Sequence, residues 1–176
     1  MHIALLRAVN VGGRGTVSMA ALETLMADLG LQDGRTLLQS GNLVFRADGR
    51  GSDELERLLE SEIERGLGLS TTVFVRSGED WRAIVEANPF PETAREDPGH
   101  LLVHALKAAP SEGSLEALRA RITGPERVHA GAREVYIAYP EGVGRSRLTP
   151  ALLDTRLGRG TGRNWNTVLK LAALVA

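Results

Sequence analysis

The sequence predicts an α+β fold in which two β-α-β-β-α subdomains share one curved antiparallel sheet with helices on one face. Two observations carry that expectation. Short apolar or β-branched runs alternate with stretches whose apolar residues fall at helical spacing, and the same order recurs in the second half of the 176 residues. In each half the second and third strands are joined as a tight hairpin, which makes their pairing antiparallel.

The first element is a strand over His2 to Val11, where Ile3, Ala4, Leu5 and Leu6 run as continuous apolar residues. A loop, V-G-G-R-G-T-V, leads to Ser18, which is placed to cap a helix carrying Leu22, Leu25, Met26 and Leu29 and stopped by Gly30. Two short strands follow in T-L-L-Q-S-G-N-L-V-F, turning at Ser40-Gly41-Asn42. A second helix begins at Ser52 with a stripe of Leu55, Leu58, Leu59 and Ile63, and Thr71 to Val75 forms the next strand. Ser77 and Asp80 have capping-box spacing ahead of a third helix carrying Trp81, Ile84 and Val85. Asn88-Pro89 ends it, because the residue before proline is pushed out of the helical region.

Residues 1–88 therefore form the first subdomain, with an extra helix, and the proline-rich segment 89–99 reads as a linker. The second subdomain, 100–176, opens with a strand over His100 to Leu106. A helix built on Leu115, Leu118 and Ile122 stops at Gly124-Pro125, and a hairpin pairs Arg127–Ala130 with Glu134–Tyr139. Thr149 caps a helix with Pro150 at its first position, and Leu148 and Leu153 are spaced as a hydrophobic staple. After an irregular G-R-G-T-G-R loop, an apolar helix starts near Trp165. The split β-α-β order of each half is ferredoxin-like.

Five segments carry a family resemblance: R-A-V-N-V-G-G from Arg7, Q-S-G-N-L-V-F from Gln39, N-P-F from Asn88, G-R-S-R-L-T from Gly144 and R-N-W-N-T-V-L-K-L from Arg163. In this order they resemble the bacterial domain-of-unknown-function family 1697, across essentially the whole chain. The resemblance implies the duplicated α/β fold with a half-barrel-like antiparallel sheet. It implies no activity.

Composition excludes several classes of function. With no cysteine there is no disulfide, thiolate zinc site, iron–sulfur cluster or cysteine nucleophile. A net charge of −1 argues against coating a polyanion. The few apolar residues before Arg7 are too short for a signal-peptide core, and no run approaches the roughly 20 residues of a membrane span. A cytoplasmic location is expected. His100 and His104, four residues apart on a strand, would be separated by about 13 Å, too far for one metal ion, so no metal and no cofactor are expected. Sheet-face RNA recognition is not expected either, since the central strands offer only Phe45, Tyr136 and Tyr139 for stacking.

Charge is nevertheless segregated. From Gly142 onward six Lys/Arg face one Asp, a local charge of +5, which leaves −6 for the rest of the chain. Arg145 and Arg147 flank Ser146 just ahead of a capped helix, and Arg163 and Asn164 precede another helix start. Arginines beside helix N-termini suit carboxylate or phosphate capture. A second wall is offered by Arg7, Asn10, Gly12 and Gly13 at the end of the first strand, although G-K-[ST] is missing and the next elements form a hairpin, not a parallel strand. The glycines there equally suit a tight turn, and Gln39, Ser40 and Asn42 equally suit their own hairpin. The expected function is binding of a small anionic ligand, phosphorylated or nucleotide-like. The alternatives are an enzyme acting on such a ligand, with Ser40 or Asn42 near the chemistry, and a protein-interaction module.

Overall fold

The computed structural model describes residues 1–9 and 16–176. Tertiary contacts divide these into two compact units: Met1–Ala83 with Leu171–Ala176, and Ile84–Lys170.

In the first unit, β1 (His2–Leu6), α1 (Met19–Asp28), β2 (Gln32–Leu37), β3 (Asn42–Arg46), α2 (Ser52–Leu67) and β4 (Val73–Ser77) are followed by α3 (Gly78–Glu86), whose last residues fall in the second unit. The strands form one antiparallel sheet in the order β2-β3-β1-β4. Alternate residues of three strands (Ala4 and Leu6, Leu43 and Phe45, Val73 and Val75) bury one face against Leu22 and Met26 of α1 and Leu55, Leu59 and Ile63 of α2. The boundaries of α1 follow from local chemistry. The Ser18 hydroxyl accepts the Ala21 N–H at 3.0 Å. At the other end the Gly30 and Leu31 N–H groups donate to the Ala27 and Met26 carbonyls, the paired bonds of a Schellman cap, with Gly30 at φ +69°. Ser77 and Asp80 complete the reciprocal capping box expected for α3.

The second unit includes α4 (Pro91–Glu96), a 3-10 turn (Pro98–His100), β5 (Leu101–Leu106), α5 (Glu112–Arg119), β6 (Arg127–Ala130), β7 (Glu134–Ala138), a 3-10 turn (Val143–Arg145), α6 (Pro150–Leu157), β8 (Gly160–Asn164) and the start of α7 (Trp165–Val175). Its sheet has the order β6-β7-β5-β8, again antiparallel throughout. Leu115 and Leu118 of α5 and Leu153 of α6 cover Leu106, Val135 and Ile137.

Three expectations change. Among the described residues the strands pair as two four-stranded sheets, not as one shared curved sheet. The segment read as an irregular loop before Trp165 is the fourth strand, β8, hydrogen-bonded to β5. Its sequence G-T-G-R-N hides it, because it has neither an apolar run nor alternation. The glycines answer to space instead. A Cβ at Gly160 would overlap His104 Nε2 and stand 2.7 Å from the Ala105 carbonyl oxygen. The segment 89–99 is also structured, since Pro91 opens α4 at a position where its missing N–H costs nothing.

The two sheets agree residue by residue. Leu5 lies opposite Asn42, and Ala105 opposite Glu134; Ile3 lies opposite Arg76, and Val103 opposite Arg163. Each unit thus places a buried polar side chain at the start of its third strand and a buried arginine in its fourth.

Candidate functional site

The second sheet gathers the arginine-bearing segment at the end where β5 begins. Leu101 pairs with Ala138, the last residue of β7, Leu102 pairs with Asn164, the last of β8, and Arg127 opens β6 beside Ala138. The chain leaving β7 is tied there by the Tyr139 N–H, which donates to the His100 carbonyl at 2.8 Å. It turns at Gly142, passes through Val143–Arg145 and reaches α6, where the Thr149 hydroxyl accepts the Leu152 N–H.

Two bonds fix this segment in the middle. The Ser146 hydroxyl donates to the Glu126 carboxylate and accepts the Leu148 N–H at 3.0 Å. The buried Tyr139 hydroxyl donates to the Leu148 carbonyl at 3.3 Å. Burial, with Glu126 nearby, raises the Tyr139 phenol well above its ordinary range, so it stays a neutral donor. Arg145 and Arg147, on either side of the anchored Ser146, are both exposed. Among the described residues neither guanidinium takes an ion-pair or side-chain hydrogen-bond partner.

Arg163 and Asn164 are placed differently from the expectation. Arg163 is only 8% exposed, in the interior of β8, and its Nη1 donates to the Thr161 hydroxyl at 2.8 Å and the Gly162 carbonyl at 2.9 Å. Burial lowers its pKa to about 10, which leaves it a cation at neutral pH. Asn164 caps α7: its Oδ1 accepts the Thr167 N–H and hydroxyl, both at 3.0 Å. The correction has a plain cause, because the unrecognised strand carries Arg163 into the sheet instead of to a loop surface.

In the first unit Arg7 is half-buried just beyond β1, with its N–H donating to the Thr72 carbonyl and its carbonyl accepting the Thr71 hydroxyl. Asn10, Gly12 and Gly13 lie outside the described residues. The Q-S-G-N turn serves itself. Asn42 is fully buried, and its amide donates to the Leu37 carbonyl at 2.8 Å and the Ser40 hydroxyl at 3.0 Å. Gly41, at φ +70°, would press a Cβ to 2.8 Å from Leu6 Cβ. Arg7 therefore stands where β1 ends, whereas Arg145 and Arg147 stand where the equivalent strand, β5, begins.

One pair of titratable residues at the arginine end was not singled out in the sequence. Asp97 Oδ2 and His100 Nδ1 are 2.6 Å apart, at i, i+3 in the turn before β5. The run E-D-P-G-H carried the signal, since a proline-led turn brings residues three apart to one side. Among the described residues no group of three or more metal-ligating side chains occurs, and no helix is long and apolar enough to cross a membrane.

Fold and geometry together define an α+β protein of two like-ordered antiparallel sheets in which the loop between β7 and α6 carries two exposed arginines, Arg145 and Arg147, without an ion-pair partner among the described residues. Residues 1–136 match the family described as "Protein of unknown function (DUF1697)", and the chain belongs to that family. No curated protein matches it. Among solved structures it is similar to the conserved bacterial protein SP0830 from Streptococcus pneumoniae, with a TM-score of 0.78 at 21% identity over 99% of this chain and 98% of that one. At that identity the likeness concerns the fold alone.

Proposed function

We propose that this protein binds a small anionic ligand, a phosphorylated metabolite or nucleotide, through Arg145 and Arg147. The observation that supports the reading is their exposure without a partner on a loop braced by Ser146–Glu126 and Tyr139–Leu148. A braced loop loses little conformational freedom on binding, and guanidinium pairs grip phosphate oxygens in bidentate fashion. Arg163, inside β8, and Asn164, capping α7, are read as part of the second unit's scaffold. Arg7, with Asn10, Gly12 and Gly13, is a further candidate for the same ligand chemistry. We read the shared strand order as a duplicated ferredoxin-like unit, in which the second copy has acquired the binding loop.

The test is thermal unfolding against a panel of nucleotides, sugar phosphates and polyphosphates. A ligand-induced rise in Tm is expected that shrinks with added salt and is lost in Arg147→Ala. No shift with any member of the panel rejects the proposal.

A further inference from the structure

We infer that Asp97 and His100 extend the arginine site into one that recognises a phosphoester carrying a hydroxyl group next to its phosphate. The inference rests on the anion site proposed above and adds a second recognition element to it. Three observations place the pair there. The Asp97 carboxylate holds His100 Nδ1 at 2.6 Å, which fixes the ring's orientation and leaves Nε2 on the opposite side. That Nε2 is the ring atom nearest Gly142, 3.3 Å from where a Cβ would stand, and Gly142 is at φ +86°. The loop therefore passes over the imidazole at a position where both backbone conformation and space favour glycine.

Gly142 is also the residue from which the arginine turn departs, its carbonyl accepting the Arg145 N–H at 3.3 Å. Three residues of 3-10 turn advance about 6 Å, so the imidazole and the first arginine lie within the length of one small ligand. Inorganic phosphate seated on the arginines has no carbon chain to carry a hydroxyl across to the imidazole. A ligand with a hydroxyl near its phosphate also has a partner for Nε2, which accepts from the hydroxyl when the proton sits on Nδ1 toward Asp97. The His100 and Asp97 side chains are 42% and 52% exposed, so a ligand can reach them.

The experiment compares dissociation constants for inorganic phosphate and glycerol 3-phosphate by calorimetry in the full chain at fixed pH and salt. The native protein is expected to prefer glycerol 3-phosphate, whose hydroxyl sits on the carbon next to the phosphorylated one, by about five- to tenfold, the worth of one added hydrogen bond. His100→Ala brings that ratio close to one, and Asp97→Asn, which keeps the side-chain shape, reduces it. Arg147→Ala weakens both ligands in parallel. A preference that persists in His100→Ala, or a native protein with no preference, overturns the inference while the arginine site stands. Binding of neither ligand, or binding indifferent to Arg147→Ala, overturns the arginine site and the inference with it.

Discussion

The two units reach the same strand order in the same register, yet differ in the connection that follows the third strand. In the first unit β3 and α2 are joined by residues 47–51; in the second, β7 and α6 are joined by residues 139–149. Both connections have arginines near them. Arg46 and Arg50 of the first unit are neutralised, by Asp33 at 3.2 Å and Glu54 at 4.0 Å. Arg145 and Arg147 of the second are not, among the described residues, and Glu126, which reaches their loop, is taken by Ser146. The contrast separates what the shared strand order needs from what the second unit's longer connection carries. Positions matched by register hold the scaffold together, whereas the longer loop carries uncompensated charge, and loops on a rigid scaffold are where binding usually resides.

The largest expected effect breaks the scaffold comparison at its buried arginines. Arg76 Nη1 lies 3.8 Å from Glu56, with both side chains almost wholly buried, and Glu56 also accepts the Val75 N–H. Arg76→Ala should cost about 3–5 kcal/mol by removing the buried cation that faces that carboxylate. Arg163→Ala, at the matching position, removes bonds to Thr161 and Gly162 and should cost about 1–2 kcal/mol. Urea unfolding of both variants checks the order, and equal losses would undo the distinction.

A middle-sized effect should be shared by the units. Glu134 accepts the Ala132 and Arg133 N–H groups at 2.9 and 3.0 Å, doing for its hairpin what Asn42 does for the other. Alanine at either position should cost about 1–3 kcal/mol, because buried turn groups lose their partners. A neutral result at one position would show that the register match is not a match of roles.

The smallest effect concerns alkaline pH. The Tyr136 and Tyr139 phenols are both raised by burial, while in the unfolded chain they ionise near their ordinary value of about 10. Their contribution is thus intact below pH ~10 and is lost as pH climbs past it, because the unfolded state releases its protons first. Tyr139→Phe should flatten this fall while forfeiting the bond to Leu148. Denaturation midpoints from pH 8 to 11 measure it.

How much of this was readable in the sequence depended on whether a residue's role was local. Ser18, Gly30, the Ser77–Asp80 box and Thr149-Pro150 act on neighbours three or four positions away, so composition at fixed offsets revealed them. The β8 strand was invisible for the opposite reason. Its glycines are dictated by His104 and Ala105 on another strand, which no local pattern records. Missing the strand misplaced Arg163, one of the three arginines of the expected cluster. The Asp97–His100 pair went unnoticed because Asp97 reads as linker and His100 as the first residue of a strand, which hides the turn that brings them together.

The central claim is that the uncompensated arginines of the second unit, and not the paired ones of the first, hold the anion. Calorimetric titration of pyrophosphate at low salt into three proteins tests it: the native chain, Arg145→Ala/Arg147→Ala and Arg46→Ala/Arg50→Ala. Loss of two charge-assisted contacts should weaken binding by at least about a hundredfold in the first double variant, and affinity should be unchanged within about threefold in the second. Equal weakening in the two variants, or loss only in Arg46→Ala/Arg50→Ala, would contradict it.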